Sequence, residues 1–138
     1  MFFEYTLTIP ANTAAASPAE SLVALSAGRL VAVAVQFPRG CVGLVHTVAH
    51  RSEHQLWPTN PDGSIVGEGA MISWAEDLVL EDDPYTLRLR GWNLDDTNPH
   101  TVTWRFNVLP LAGVLADRER AALETRLRLS ALGEGAAT

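Results

Sequence analysis

Apolar and polar residues alternate along most of the first 110 positions. Phe3, Tyr5, Leu7 and Ile9 are separated by Glu4, Thr6 and Thr8, a period of two that marks a half-buried strand ended by Pro10. Small, turn-forming residues from Ala11 to Pro18 read as a loop, and a second strand is expected from Glu20 to Leu25. Arg29 to Phe37 is the clearest buried strand, with Val31, Val33, Val35 and Phe37 on one face and Leu30, Ala32 and Ala34 on the other. That second face is also poor in polar groups, which implies cover on both sides or an interface. After Pro38-Arg39-Gly40, the run Val42 to His50 predicts another strand. Arg51 to Asn60 contains a short edge strand around Leu56 and Trp57. Asn60-Pro61-Asp62-Gly63 is a turn in which Pro presets φ and Gly accepts a positive φ.

Ile65-Val66 is a short strand, and Met71 to Trp74 and Leu78 to Leu80 predict two brief strands around an acidic kink. Tyr85, Leu87 and Leu89 alternate with Thr86, Arg88 and Arg90. Beyond a polar loop from Leu94 to His100, Val102, Trp104, Phe106 and Val108 alternate with Thr101, Thr103, Arg105 and Asn107. These two runs predict an antiparallel hairpin with a long loop. Roughly seven to nine short strands with frequent turns give a mainly β fold, an antiparallel β-sandwich of jelly-roll type. After Pro110 the pattern changes to a helix from about Val114 to Leu132. Ala116, Leu123, Leu127 and Ala131 share one stripe, and Asp117 and Glu119 stand near its N-terminus with Arg126 and Arg128 near its C-terminus, as the helix dipole favours. Gly133 is its natural stop. The organisation expected is a sandwich over 1–110 and a C-terminal helical extension over 111–138.

The chain has 138 residues, enough for one domain that buries about two-thirds of its unfolded surface. Hydrophobic residues make up 47% and charged residues 19%, which excludes wholesale disorder. The net charge of −6, with every basic residue an Arg, argues against a general nucleic-acid binder. Cys41 is the single cysteine, so no intrachain disulfide is available. Met1-Phe2-Phe3-Glu4-Tyr5 lacks the basic and long apolar regions of a signal peptide, and Leu30 to Val35, the longest purely apolar stretch, is far short of a membrane span of about 20 residues. A product made and kept in the cytosol, without membrane partners, is the expectation, unless it leaves inside a larger particle.

Several residues bear on chemistry. His46, His50 and His54 follow an H-x3-H-x3-H spacing that would suit zinc on a helix. On a strand, at about 3.3 Å per residue, it sets His46 and His50 some 13 Å apart, too far to share an ion. Cys41 is a candidate nucleophile, but it follows a turn and precedes an apolar run, with no helix N-terminus to lower its pKa. Glu76, Asp77, Glu81, Asp82 and Asp83 form one acidic cluster. Asp95 and Asp96, with Asn93 and Asn98, form another. Either would suit calcium, and paired carboxylates also serve glycoside hydrolysis; solvated loop acids are the simpler reading. Trp57, Trp74, Trp92 and Trp104 are candidates for a sugar platform, Trp104 being assigned to the core. Arg88, Arg90, Trp92 and Arg105, with Leu123 and Leu127 of the helix, are the candidate interface residues, because Arg and Trp are enriched at interfaces. No phosphate-binding glycine loop, G-x-S-x-G, H-E-x-x-H or C-x-x-C occurs. The cupin spacing G-x5-H-x-H-x3,4-E-x6-G is also missing, although His100 could join the other histidines in such a site. No cofactor is expected.

Tyr5-Thr6-Leu7-Thr8-Ile9-Pro10-Ala11-Asn12-Thr13, Val35-Gln36-Phe37-Pro38-Arg39-Gly40-Cys41-Val42-Gly43-Leu44, Gly91-Trp92-Asn93 and Pro99-His100-Thr101-Val102 resemble segments of small virion-associated proteins of tailed bacteriophages. The resemblance spans roughly residues 3–110 and carries no catalytic motif. It implies a non-enzymatic head decoration, cement or accessory protein of the virion, made in the host cytoplasm. Such a protein binds the major capsid protein, other virion proteins and its own copies as a homo-oligomer. The alternative is a carbohydrate-binding sandwich module using exposed Trp57 or Trp92, with or without calcium.

Overall fold

The computed structural model describes residues 1–110 and 119–130. Among the described residues nine strands form: β1 (Phe2–Ile9), β2 (Ala19–Ala24), β3 (Gly28–Gln36), β4 (Val45–Arg51), β5 (His54–Trp57), β6 (Ile65–Val66), β7 (Met71–Leu80), β8 (Thr86–Asn93) and β9 (His100–Pro110). Residues 119–130 form a helix, α1. Strand order β1-β9-β3-β7 makes the first sheet and β2-β8-β4-β5 the second, with β6 added beside β4. All pairings are antiparallel. The pairs β1·β9, β2·β8, β3·β7 and β4·β5 are those of one long hairpin rolled into two layers, the jelly-roll winding. The protein is therefore a mainly β antiparallel sandwich with a C-terminal helix. Among the described residues no helix is long and apolar enough to cross a membrane.

The alternation seen in the sequence sets which residues fill the space between the layers. From the first sheet come Leu7 and Ile9 of β1, Val33 and Val35 of β3, and Val102, Trp104, Phe106 and Val108 of β9; from the second come Val23, Val45, Ala49, Leu87 and Leu89. Each large aliphatic or aromatic side chain buried here contributes about 1.5–3 kcal/mol. Trp104 lies at the centre, stacked on Phe106 with centroids 6.0 Å apart and edge-on to Trp74 at 6.4 Å. Its indole Nε1 donates to Thr47 Oγ1 at 3.1 Å, and that hydroxyl donates to the Arg90 carbonyl at 2.8 Å. The chain of bonds joins β9 of one sheet to β4 and β8 of the other and leaves no polar atom of the indole unmet.

Four expectations need correction. The runs β8 and β9 do not form a hairpin with each other. They lie in different sheets, and residues 94–99 carry the chain across, because each strand presents its apolar face to the same core from opposite sides. The acidic segment at Glu76 and Asp77 does not break the strand: β7 is continuous and absorbs the extra residue as a bulge against β3. The register of β3 also shifts against β9 between Leu30 and Ala32. The face of the strand therefore changes there: Leu30, fully buried, joins Val33 and Val35 inside, and Val31 turns outward. Lastly, Cys41 to Leu44 is not strand. The Leu44 amide closes a turn onto the Cys41 carbonyl at 2.8 Å, with Val42 and Gly43 at positive φ, so β4 starts only at Val45. Of the predicted helix, Ala116, Asp117, Ala131 and Gly133 lie outside the described residues.

Thr47→Val keeps the shape of the core but strands the Trp104 N–H in an apolar interior. Urea unfolding of that variant should show a loss of about 1–3 kcal/mol; an unchanged midpoint would remove this bond from the account.

Candidate functional site

The outer face of the first sheet departs from what water-exposed antiparallel sheets carry, which is mostly polar side chains. Its outermost strand, β1, conforms, with Glu4, Thr6 and Thr8 outward. The two strands at the other side do not. Over their middle stretch the outward positions of β3 are Val31, Ala32 and Ala34, and those of β7 are Met71, Ser73 and Ala75, with polar Arg29, Gln36 and Asp77 only beyond it. Cross-strand register places Ala32 beside Ala75 and Ala34 beside Ser73. These small side chains form the floor of an open groove of about 570 Å³, also lined by Phe2, Arg105 and Asn107. Phe2 and Met71 stand up at its margins, 64% and 59% exposed. The bulge at Val31 is what turns an apolar residue onto this floor.

The margin is held by Arg105. Its Nε donates to Glu4 Oε2 at 3.0 Å, and its Nη1 donates to Gln36 Oε1 at 2.7 Å and approaches Met71 Sδ at 3.8 Å. Arg29 and Asp77 form a second exposed ion pair, Nε to Oδ1, at 2.8 Å. An apolar floor with a polar, ion-paired border is the anatomy of a protein-docking patch.

The other candidate interface residues are elsewhere. Arg88, Arg90 and Trp92 face outward from the second sheet, so Arg105 does not share a face with them. There Arg90 Nε lies in ion-pair distance of Glu20 Oε1, at 2.8 Å, and Trp92 stacks flat on His46, 5.2 Å between centroids. Leu123 and Leu127 are 51% and 61% exposed on α1, and all described helix residues are exposed.

The three histidines do not converge. His46 Nδ1 shares a hydrogen bond with Ser64 Oγ at 2.7 Å, His50 lies opposite Arg88, and His54 lies opposite Arg51. Burial holds His46 below its ordinary pKa; burial and then the Arg90 guanidinium do the same for His50. Cys41 is fully buried, and burial followed by the Glu68 and Asp95 carboxylates pushes its thiol up, the reverse of an activated nucleophile. Glu68 itself is engaged in binding the turn at Cys41, accepting from the amides of Val42 at 2.5 Å and Gly40 at 2.7 Å, which hold its carboxyl low. Among the described residues no three His, Cys, Asp or Glu side chains gather as ligands for a metal ion.

Of the tryptophans, Trp104 is core as expected, while Trp57 is only 6% exposed and offers no open ring face. The loop acids hold structure. Asp95 Oδ1 accepts from the amides of Thr97 at 2.9 Å and Asn98 at 3.2 Å, and its Oδ2 pairs with His100 Nε2 at 2.9 Å. Asn93 bridges the same crossing, its Nδ2 donating to the Asn98 carbonyl at 2.9 Å. Comparison with known protein families and with characterised proteins finds no match for the chain.

The floor residues Ala32, Ala34, Ser73 and Ala75 were not among the sequence candidates. The signal for them was the missing polar alternation on the second face of β3.

The crossing loop makes stability acid-sensitive. The bond from His100, then the Thr97 amide, lower Asp95 from its ordinary 3.8 to about 2. A folded-state value below the unfolded one adds stability above pH 3.8 that is lost as pH falls through about 2. The urea midpoint of the native chain should therefore drop between pH 4 and 2 by more than that of Asp95→Asn. Parallel pH profiles for the two would dismiss the latch.

Proposed function

We propose that this chain is a non-enzymatic structural protein of a virion, a head decoration or accessory protein that docks onto the capsid lattice and onto its own copies. The observation that carries the reading is the outer face of the first sheet. Its Ala32–Ala34–Ser73–Ala75 floor lies open to water between Phe2 and Met71. Patches of this kind on a soluble protein mark contact surfaces. Exposed Leu123 and Leu127, one turn apart on α1, give a second apolar surface in want of cover. An isolated helix of about 12 residues is marginal in water, so docking would stabilise it.

Further support is by analogy alone: jelly rolls serve capsid and lectin proteins alike. Between those two, the buried Trp57 and the His46-stacked Trp92 weigh against a sugar platform on either ring. Arg105 belongs to the docking border. Arg88, Arg90 and Trp92 form an outer layer on the opposite side, available to a lattice neighbour together with Leu22, 65% exposed beside them.

Ala34→Arg places a charge in the middle of the groove floor while leaving the core untouched. Binding to cognate capsid shells should weaken at least about tenfold, the effect of about 1.4 kcal/mol, with the melting temperature little changed. Co-sedimentation measures the first and calorimetry the second. A native chain that stays monomeric and ignores the shells at high concentration contradicts the proposal.

A further inference from the structure

The sandwich is open along one side, where β7, the last strand of the first sheet, faces β5 and the short β6 of the second. Ile72, Trp74 and Glu76 occupy successive inward positions of β7 there and are each half-buried. With Trp57, Pro58, Thr59 and Ile65 they line a cleft of about 290 Å³, at the small end of the range for ligand sites. Trp57 and Trp74 meet edge to face, centroids 5.9 Å apart at 63°. Trp57 Nε1 donates to Glu76 Oε1 at 2.7 Å, and the Asp77 amide donates to Oε2 at 3.1 Å, so the carboxylate is fixed against the aromatic wall.

Two features of this cleft point the same way. A carboxylate offers about four acceptor positions, and two are filled. Among the described residues Glu76 forms no ion pair with a basic side chain. Indole faces are also electron-rich and attract cations, most strongly where water is partly excluded. A sugar, by contrast, needs several converging donors and acceptors, and the lining supplies one carboxylate and the Thr59 hydroxyl.

We propose that the cleft between β7 and β5 is a binding site for a small organic cation, a guanidinium on a thin alkyl stem, which stacks on Trp74 and pairs with Glu76. A planar guanidinium can lie along an indole while its N–H groups reach a carboxylate. The same chemistry is presented by an arginine side chain of a protein neighbour and by a free guanidino compound. The site is separate from the groove on the outer face of the first sheet and does not rest on the virion reading.

The test is titration of the full chain with ethylguanidinium chloride, followed by the indole N–H signals in a proton–nitrogen correlation spectrum. Trp57 and Trp74 should shift saturably, while Trp92 stays fixed. Ethylurea, the neutral analogue of the same shape, and methyl glucoside should leave all of them in place. Glu76→Gln, which retains an acceptor for Trp57, should raise the half-saturation concentration at least about tenfold; Trp74→Leu should do likewise if the first variant folds poorly. A capped Gly-Arg-Gly peptide binding more tightly than ethylguanidinium assigns the cation to a protein arginine, and weaker or equal binding assigns it to a free compound. Equal response to ethylurea, saturation by the glucoside alone, or no saturable shift overturns the proposal.

Discussion

The hydrogen bond from Trp104 to Thr47 is the point on which the two layers are registered. An indole in the middle of a core brings the largest apolar surface available and one polar atom that has to be met. Here the atom is met across the sheets, by a hydroxyl that is itself tied to the Arg90 carbonyl. Sliding one layer over the other by a residue would strand the indole N–H and pull Trp104 from its contact with Trp57. With the layers held in this relation, the outward positions of every strand are determined, and so are the two surfaces the protein presents.

Those surfaces differ because β3 is irregular. Its register shift at Val31 delivers Leu30 to the core and leaves Val31, Ala32 and Ala34 outside. Regular pairing would have kept Val31 on the face of Val33 and Val35 and left Leu30 on the other. Small side chains opposite one another, Ala32 by Ala75 and Ala34 by Ser73, keep the floor low while Phe2 and Met71 rise at the margins. The second sheet solves its surface differently, closing it with its own ion pair and its own stack. The polar groups that border the groove on the first sheet are paired among themselves, but its small apolar floor stays open to water.

Much of this was legible in the chain. Period-two alternation located β1, β8 and β9 and the inward sets Leu7–Ile9, Leu87–Leu89 and Val102–Val108, because each strand has one face in the core and one in water. The weakly polar second face of β3 already pointed to cover on both sides or an interface, and that face forms the groove floor. What pattern does not contain is the pairing partner. The strands β8 and β9 look like two arms of a hairpin, yet they pair with β2 and β4, and with β1 and β3. For the same reason Arg105 could not be separated from Arg88 and Arg90 before the topology was known. A bulge inverts parity without any residue that signals it, which is why Leu30 and Val31 exchange faces. The cleft at Glu76 was out of reach as well. It depends on Trp57 and Trp74 meeting across two sheets from positions 17 residues apart in the chain.

On the proposed function, the groove face of the first sheet, not the Arg–Trp face of the second, is the surface that assembly would cover. Hydroxyl-radical footprinting of the free and assembled chain reads this side chain by side chain. Covering the groove face should protect Met71 and Phe2 several-fold and leave Trp92 and Leu22 as reactive as in the free chain. Protection of Trp92 and Leu22 with Met71 still open would contradict it.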